Sequence, residues 1–293
     1  MGIRYYNVDT KAVSENIDAI FPDFGRNEVL AVMSPHDDDA VIGAGYAMLA
    51  AKRAGAEVYV VIFCRGDAGY STVEEKETIE RVRCEETLDC YRRMGIPSDH
   101  ILRMNFKDFS AFGNIGWEKA DGKPGDMPRL LRFLRDKKVT RVMVPNHHRE
   151  HIDHTAAHIM GSFNVPQAGD CALVDHGVPH AVRSVLEYSV WADLAPDDAL
   201  VNGRAATLRA NRIIEVDGGI EGEISNAVSA YVSQAEIIRG LIAARSERRT
   251  RGGSYIEVYL TLDCRPKIDF SPYKDFIEGL GKSGTENGSA DVL

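Results

Sequence analysis

The chain has 293 residues, 44% of them hydrophobic and 27% charged, with a formal net charge of -9. That length is ample for a buried core, and the acidic balance argues against a nucleic-acid partner. No stretch approaches the roughly 18 uninterrupted apolar residues of a membrane span, and residues 1–9 lack the basic start and apolar core of a signal peptide.

Residues 1–27 read as a mixed lead-in with one short helix around 13–20. The apolar run 28–34 predicts a first strand, and 41–54 a helix with apolar residues near helical spacing. Gly43 and Gly45 each weaken that helix by about 1 kcal/mol relative to Ala, which predicts a close approach to the sheet. Residues 57–63 predict a second strand, apolar enough to be buried on both faces. A loop at 64–71 leads into a helix that stops at Gly95. Residues 100–106 give a third strand. The polar stretch 107–124, long for a loop and therefore functional in character, carries Phe109, Phe112 and Trp117. A helix over 126–138, a strand over 140–145 and a helix beginning near Asp153 or Thr155 follow. Strands at 182–191 and 212–216, a helix at 220–245 and a closing strand at 255–260 complete the order. This alternation predicts an α/β fold, a Rossmann-like three-layer α/β/α sandwich with a mostly parallel sheet. Residues 1–278 read as one domain, and 279–293 as a disordered tail. Five cysteines, an odd count without a CxxC pair, predict reduced thiols and a cytoplasmic protein.

Two polar clusters stand out. His36-Asp37-Asp38-Asp39 falls where the first strand turns into its helix, and His147-His148-Arg149-Glu150-His151-Ile152-Asp153-His154 falls at the end of the fourth strand. Ligands bind at such strand ends in open α/β sheets. Crowded carboxylates repel unless a cation or proton relieves them. Three ligands drawn from His36, Asp39, His151 and His154, with water completing the shell, would make an open catalytic zinc site. Asp38 or Asp39 could equally serve as a helix N-cap. His147 and His148 read as solvated loop residues, and His158 faces either solvent or core. A dinucleotide fingerprint is excluded by the acidic residues where its glycines would stand, and a serine-hydrolase elbow is missing.

The stretch Ser34-Pro35-His36-Asp37-Asp38-Asp39 resembles the [SA]-H-P-D-D-E signature of the PIG-L/LmbE-like family of metal-dependent de-N-acetylases. His151-Ile152-Asp153-His154 is similar to that family's H-P-D-H element, residues 64–69 to its T-x-G-E-x-G loop, and Arg83-Cys84-Glu85-Glu86 to its R-x-x-E element. Residues 231–234 are similar to a weaker S-Q element. The resemblance implies an enzyme, a metal-dependent amidohydrolase removing acetyl from an N-acetylglucosamine-type small glycoconjugate. It implies His36, Asp39 and His154 as zinc ligands, Asp38 as general base, His151 as oxyanion stabiliser or acid, and Asp153 as the residue orienting His151. It further implies Arg83 as a residue for substrate binding or for supporting the site. The same donors also suit Fe2+ and other divalent metals. Asp37 and Ala40 replace the family's Pro and Glu, and Ile152 its second Pro. Arg149 stands where some relatives have a Tyr, and is a candidate for an anionic part of the substrate. These departures keep open an alternative, a catalytically silent binding module of the same fold. The expected partner is a small molecule, and self-association into a homo-oligomer is left open.

Overall fold

The computed structural model describes residues 2–286, with side-chain surroundings through Leu280. In chain order the strands are β1 (Arg4–Asn7), β2 (Ala12–Ser14), β3 (Val29–Ser34), β4 (Glu57–Cys64), β5 (Ile101–Phe106), β6 (Arg141–Pro145), β7 (Ser184–Tyr188), β8 (Arg212–Val216) and β9 (Tyr255–Leu262). The helices are α1 (Asp39–Gly43), α2 (Gly45–Arg53), α3 (Ile79–Arg93), α4 (Met127–Asp136), α5 (Ile152–Ala168), α6 (Pro196–Val201), α7 (Gly218–Val228), α8 (Ala235–Arg245) and α9 (Ser271–Glu286).

Successive strand side chains point to opposite faces, and here each face meets its own helical layer. Leu30 and Val32 of β3 pack in one core with α1, α2, α3, α7 and α8. Ala31 and Met33 pack in the other with α4 and α5. The three layers are those expected, but the sheet is mixed rather than mostly parallel. Its order is β2-β1-β8-β9-β7-β6-β3-β4-β5. The stretch β7-β6-β3-β4-β5 is parallel, while β1, β2, β8 and β9 pair antiparallel. The last strand does not close an edge: β9 inserts between β7 and β8 and runs against both. Residues 1–27 hold the hairpin β1–β2, too short for period reading, and only a short 3-10 turn at Ile17–Ala19.

Two expected helices are broken, each for a visible reason. At Gly43 a Cβ would stand 2.4 Å from the Tyr188 ring, and at Gly45 2.8 Å from Ile224. The helix bends at Ala44 (φ -128°) between α1 and α2 to keep both contacts. The 220–245 segment splits into α7 and α8 around Tyr231, whose hydroxyl donates to the Asp37 carbonyl at 2.6 Å. Helix α9 is formed as far as Glu286, within the segment expected to be disordered; 287–293 lie outside the described residues.

Candidate active site

The turn after β3 is tied back on itself. Ser34 Oγ accepts the Ala40 N–H at 3.1 Å and donates to the His36 carbonyl at 2.5 Å. The Asp39 carboxylate accepts the His36 N–H at 2.8 Å. Asp38 occupies the N-cap position of α1, yet its side chain caps no backbone N–H. Its carboxylate is therefore available for chemistry, and the capping alternative falls. Asp37 is fully buried and does not load the site with free charge. Arg83 Nε (3.1 Å), Arg103 Nη1 (2.6 Å) and Thr87 Oγ1 (2.8 Å) all donate to it. Arg83 also reaches Asp38 Oδ1 through Nη2, at 3.3 Å.

The second cluster arrives on the parallel neighbour β6 and on α5. His151 is the N-cap of α5, its Nδ1 accepting the Asp153 N–H at 3.1 Å. His154, one turn in, is fully buried. Its Nε2 lies 3.1 Å from Asp39 Oδ2, and His36 Nδ1 stands 3.0 Å from the same oxygen. Residues over a hundred positions apart thus converge on one point, and His36, Asp39 and His154 form a group able to hold a metal ion.

The metal reading can be tested on the donors themselves. His154 Nδ1 is engaged by Glu150 Oε2 at 2.7 Å, which leaves Nε2 buried with no hydrogen-bond partner. Burial lowers the affinity of His154 for a proton, but the Asp39 carboxylate more than offsets this and lifts its pKa to about 9. In the same way His36 is held well above its usual value, by its hydrogen bonds to Asp153 and Asp39 acting against burial. The carboxylates around the convergence point favour positive charge on the two imidazoles, and a divalent cation in place of the protons would satisfy the same demand. Both histidines have a carboxylate on their other nitrogen, the arrangement that orients metal-binding imidazoles.

Two of these supporting residues differ from expectation. The Asp153 carboxylate is 3.4 Å from His36 Nε2, while His151 Nδ1, at 3.6 Å, is already the acceptor of Asp153's own N–H. Its hydrogen bond to an imidazole goes to His36, and its remaining capacity is taken by the Phe109 and Ala111 N–H groups at 2.6 and 3.0 Å. These donors and His36 hold its carboxyl at about 2, against burial. Glu150 was not singled out from sequence, although it stands four residues before His154, one helical turn. Its Oε1 accepts three consecutive N–H groups, those of Val190, Trp191 and Ala192, at 2.8–3.0 Å.

A cavity of about 180 Å³ opens over this centre, lined by His36, Asp38, Asp39, Arg83, Asp108, Phe109, Trp191 and Gln234 among others. Asp108 accepts the Gly66 and Ala68 N–H groups at 2.9 and 3.0 Å, shaping the loop after β4. Gly66 has φ +79°, and a Cβ there would meet Asp37 Oδ2 at 2.8 Å, so glycine is required. Gln234 donates to the Gly69 carbonyl, and Ser233 N and Oγ both meet Glu86 at 2.7 Å. The three weaker sequence elements are thereby joined. Of the aromatics noted in sequence, Phe109 is 65% exposed and lines the cavity, whereas Trp117 packs on His176 outside it. Trp191 joins Phe109, half-exposed with its ring 4.8 Å from that of His154. Arg149 is exposed on a left-handed turn (φ +57°) and does not line the cavity.

Comparison with known proteins places these features. Residues 31–162 match the family model described as PIG-L: GlcNAc-PI de-N-acetylase. No curated protein sequence matches. Among solved structures, the chain is similar to the N,N'-diacetylchitobiose deacetylase of Pyrococcus horikoshii, with a TM-score of 0.62 and 16% identity, covering 85% of this chain and 88% of that one. It is also similar to the 4-carboxy-2-hydroxymuconate hydratase of Pseudomonas putida KT2440 (TM-score 0.58, 15% identity, 83% and 99% covered). A zinc-inhibited form of teicoplanin deacetylase gives 0.51, 17%, 81% and 99%. At these identities the likeness is one of fold.

Proposed function

We propose, from the match of residues 31–162 to the PIG-L family model, that the chain is a deacetylase of that family and removes an N-acetyl group from an amino sugar of a small glycoconjugate. The observation that carries the reading is the convergence of His36, Asp39 and His154, with the buried His154 Nε2 3.1 Å from Asp39 Oδ2 yet without a hydrogen bond. His36, Asp39 and His154 would hold a divalent metal, which we take to be zinc, with Fe2+ suited to the same donors. Such an ion, when bound, polarises a carbonyl and lowers the pKa of water to roughly 7.

The protein's own groups divide the remaining work. Asp38 lines the cavity with its carboxylate uncommitted to the helix and accepts the proton of the attacking water. Burial raises its pKa, with Arg83 opposing, which brings the base nearer the working pH, as general-base catalysis favours. Arg83, fixed by Asp37, positions that carboxylate. His151, kept neutral by burial and by His36, has its Nδ1 occupied as an acceptor and so presents an N–H at Nε2. It donates to the developing oxyanion, and the proton taken up by Asp38 passes to the leaving amine as the C–N bond breaks, giving acetate and the free amino sugar. Asp153 orients His36 in this scheme, rather than His151. Phe109 and Trp191 flank the cavity and offer faces to a sugar ring. We further propose residues 1–278 as one domain, since one sheet takes strands from Arg4 to Leu262. The five free cysteines support a reducing compartment, the cytoplasm. No helix among the described residues is long and apolar enough to cross a membrane.

The test is acetate release from N-acetylglucosamine conjugates by metal-stripped protein before and after zinc is restored. Activity should return with zinc, and His154→Ala should lose both metal and turnover. If no amide substrate is hydrolysed and His154→Ala leaves metal content unchanged, the reading is wrong.

A further inference from the structure

The buried carboxylates among the described residues fall into two groups. Glu28, Asp37, Asp38, Glu215, Glu221 and Glu257 each face an arginine. Asp39, Asp153 and Glu150 face histidines, and all three belong to the site above. Glu187, on β7, is 1% exposed and belongs to the second group, yet it lies outside that site. Its ion-pair partners among the described residues are His147, with Nδ1 2.9 Å from Oε1, and His158, with Nδ1 3.7 Å from the same oxygen. The two imidazoles stand 4.5 Å apart between ring centres. One donor atom from each of the three residues lies within 4.8 Å of the others.

We propose that His147, His158 and Glu187 form a second divalent-metal site, of the borderline class that Zn2+, Co2+ and Ni2+ represent. Two imidazoles and a carboxylate are a donor set those ions favour. A permanent cation is what the buried Glu187 lacks and every arginine-paired acid in the protein has. His158 Nδ1 donates to the Pro145 carbonyl at 2.9 Å, which fixes the ring and leaves Nε2 as its nitrogen for an ion. His147 is 44% exposed at its side chain and forms the mouth through which an ion enters. Three protein donors leave further positions to water. His158 follows His154 by one turn on α5, about 6 Å along the helix, so the two ions repel and the second binds more weakly.

The experiment is a Zn2+ titration of the metal-stripped full-length protein by calorimetry, with bound metal counted by mass spectrometry after dialysis. The wild type should take two equivalents, the second the weaker. His147→Gln and His158→Gln should each lose the weaker one or weaken it at least about tenfold, and keep the tighter. His154→Ala should lose the tighter one. The proposal is overturned if the wild type saturates at one equivalent, or if His147→Gln, an exposed replacement that leaves the core intact, retains both unchanged. Either result leaves the deacetylase reading standing, because that depends on the equivalent lost in His154→Ala.

Discussion

The two ends of β3 carry the same kind of chemistry to opposite ends. At its start, Glu28 is 1% exposed and accepts from Arg141 Nε at 3.1 Å, from Gly25 N at 2.8 Å, from Arg183 and from Thr140. Every lone pair has a donor and every donor a reason to be there. At its finish, Asp37 is treated likewise, but Asp38 and Asp39 are left with histidines and one arginine, and a buried imidazole nitrogen stands against Asp39 without a hydrogen bond. Complete pairing makes a strut, whereas pairing left one cation short makes a place for an ion and a base. The difference is not burial, which is near total at both ends, but what the partners can give up.

Four measurements can break or sharpen that contrast, the first being the loss of metal and turnover in His154→Ala given above. Next in size, Asp38→Asn should cut kcat by about 10²–10⁴-fold while metal content stays that of the wild type. A variant that loses its metal as well would show that Asp38 is part of the strut. At the opposite end, Glu28→Gln should cost roughly 3–5 kcal/mol in chemical denaturation, because Arg141 is left buried without its counter-charge. Its effect on kcat should be small. Glu28 is held at about 2, its hydrogen bonds to Arg141 and Thr140 overriding burial. A carboxyl depressed in the folded state contributes stability above its unfolded pKa, near 4.3. That contribution is lost as pH falls from there toward about 2. Acid titration of the wild type should show this loss, and Glu28→Gln should lack it. Smallest of the four, Glu150→Gln should weaken metal binding by about 10–100-fold without abolishing it. An unchanged affinity would mean that Glu150 only ties the 190–192 backbone.

How much of this could be read in the sequence follows the same division. The parallel strands and the two histidine clusters were legible because a strand buried on both faces and a polar turn at its end leave local marks. Of the antiparallel part, β8 and β9 were legible as strands but not their direction or their place in the sheet, and β1 was not legible at all: it has four residues, and its partner β8 lies some two hundred positions away. His36, Asp38, Asp39 and His154 could be named from their motifs. Glu150 and Asp108 could not, since each acts by accepting backbone N–H groups from loops far along the chain. Trp191 had no motif to mark it. The orientation of Asp153 toward His36 depends on which nitrogen of His151 its own backbone reaches, and spacing carries no trace of that.

The way Asp153 holds the 109–111 loop has a further consequence. It grips through the N–H groups of Phe109 and Ala111 and touches neither side chain for this purpose. Phe109, at a φ of +61° that asparagine and glycine tolerate better, can therefore be exchanged without loosening the grip. The Phe109 ring itself packs on that of His151, 4.6 Å between centres, so an exchange at 109 keeps the loop in place and alters what lies beside that imidazole at the mouth of the cavity. Changing what the cavity admits would begin at that one position.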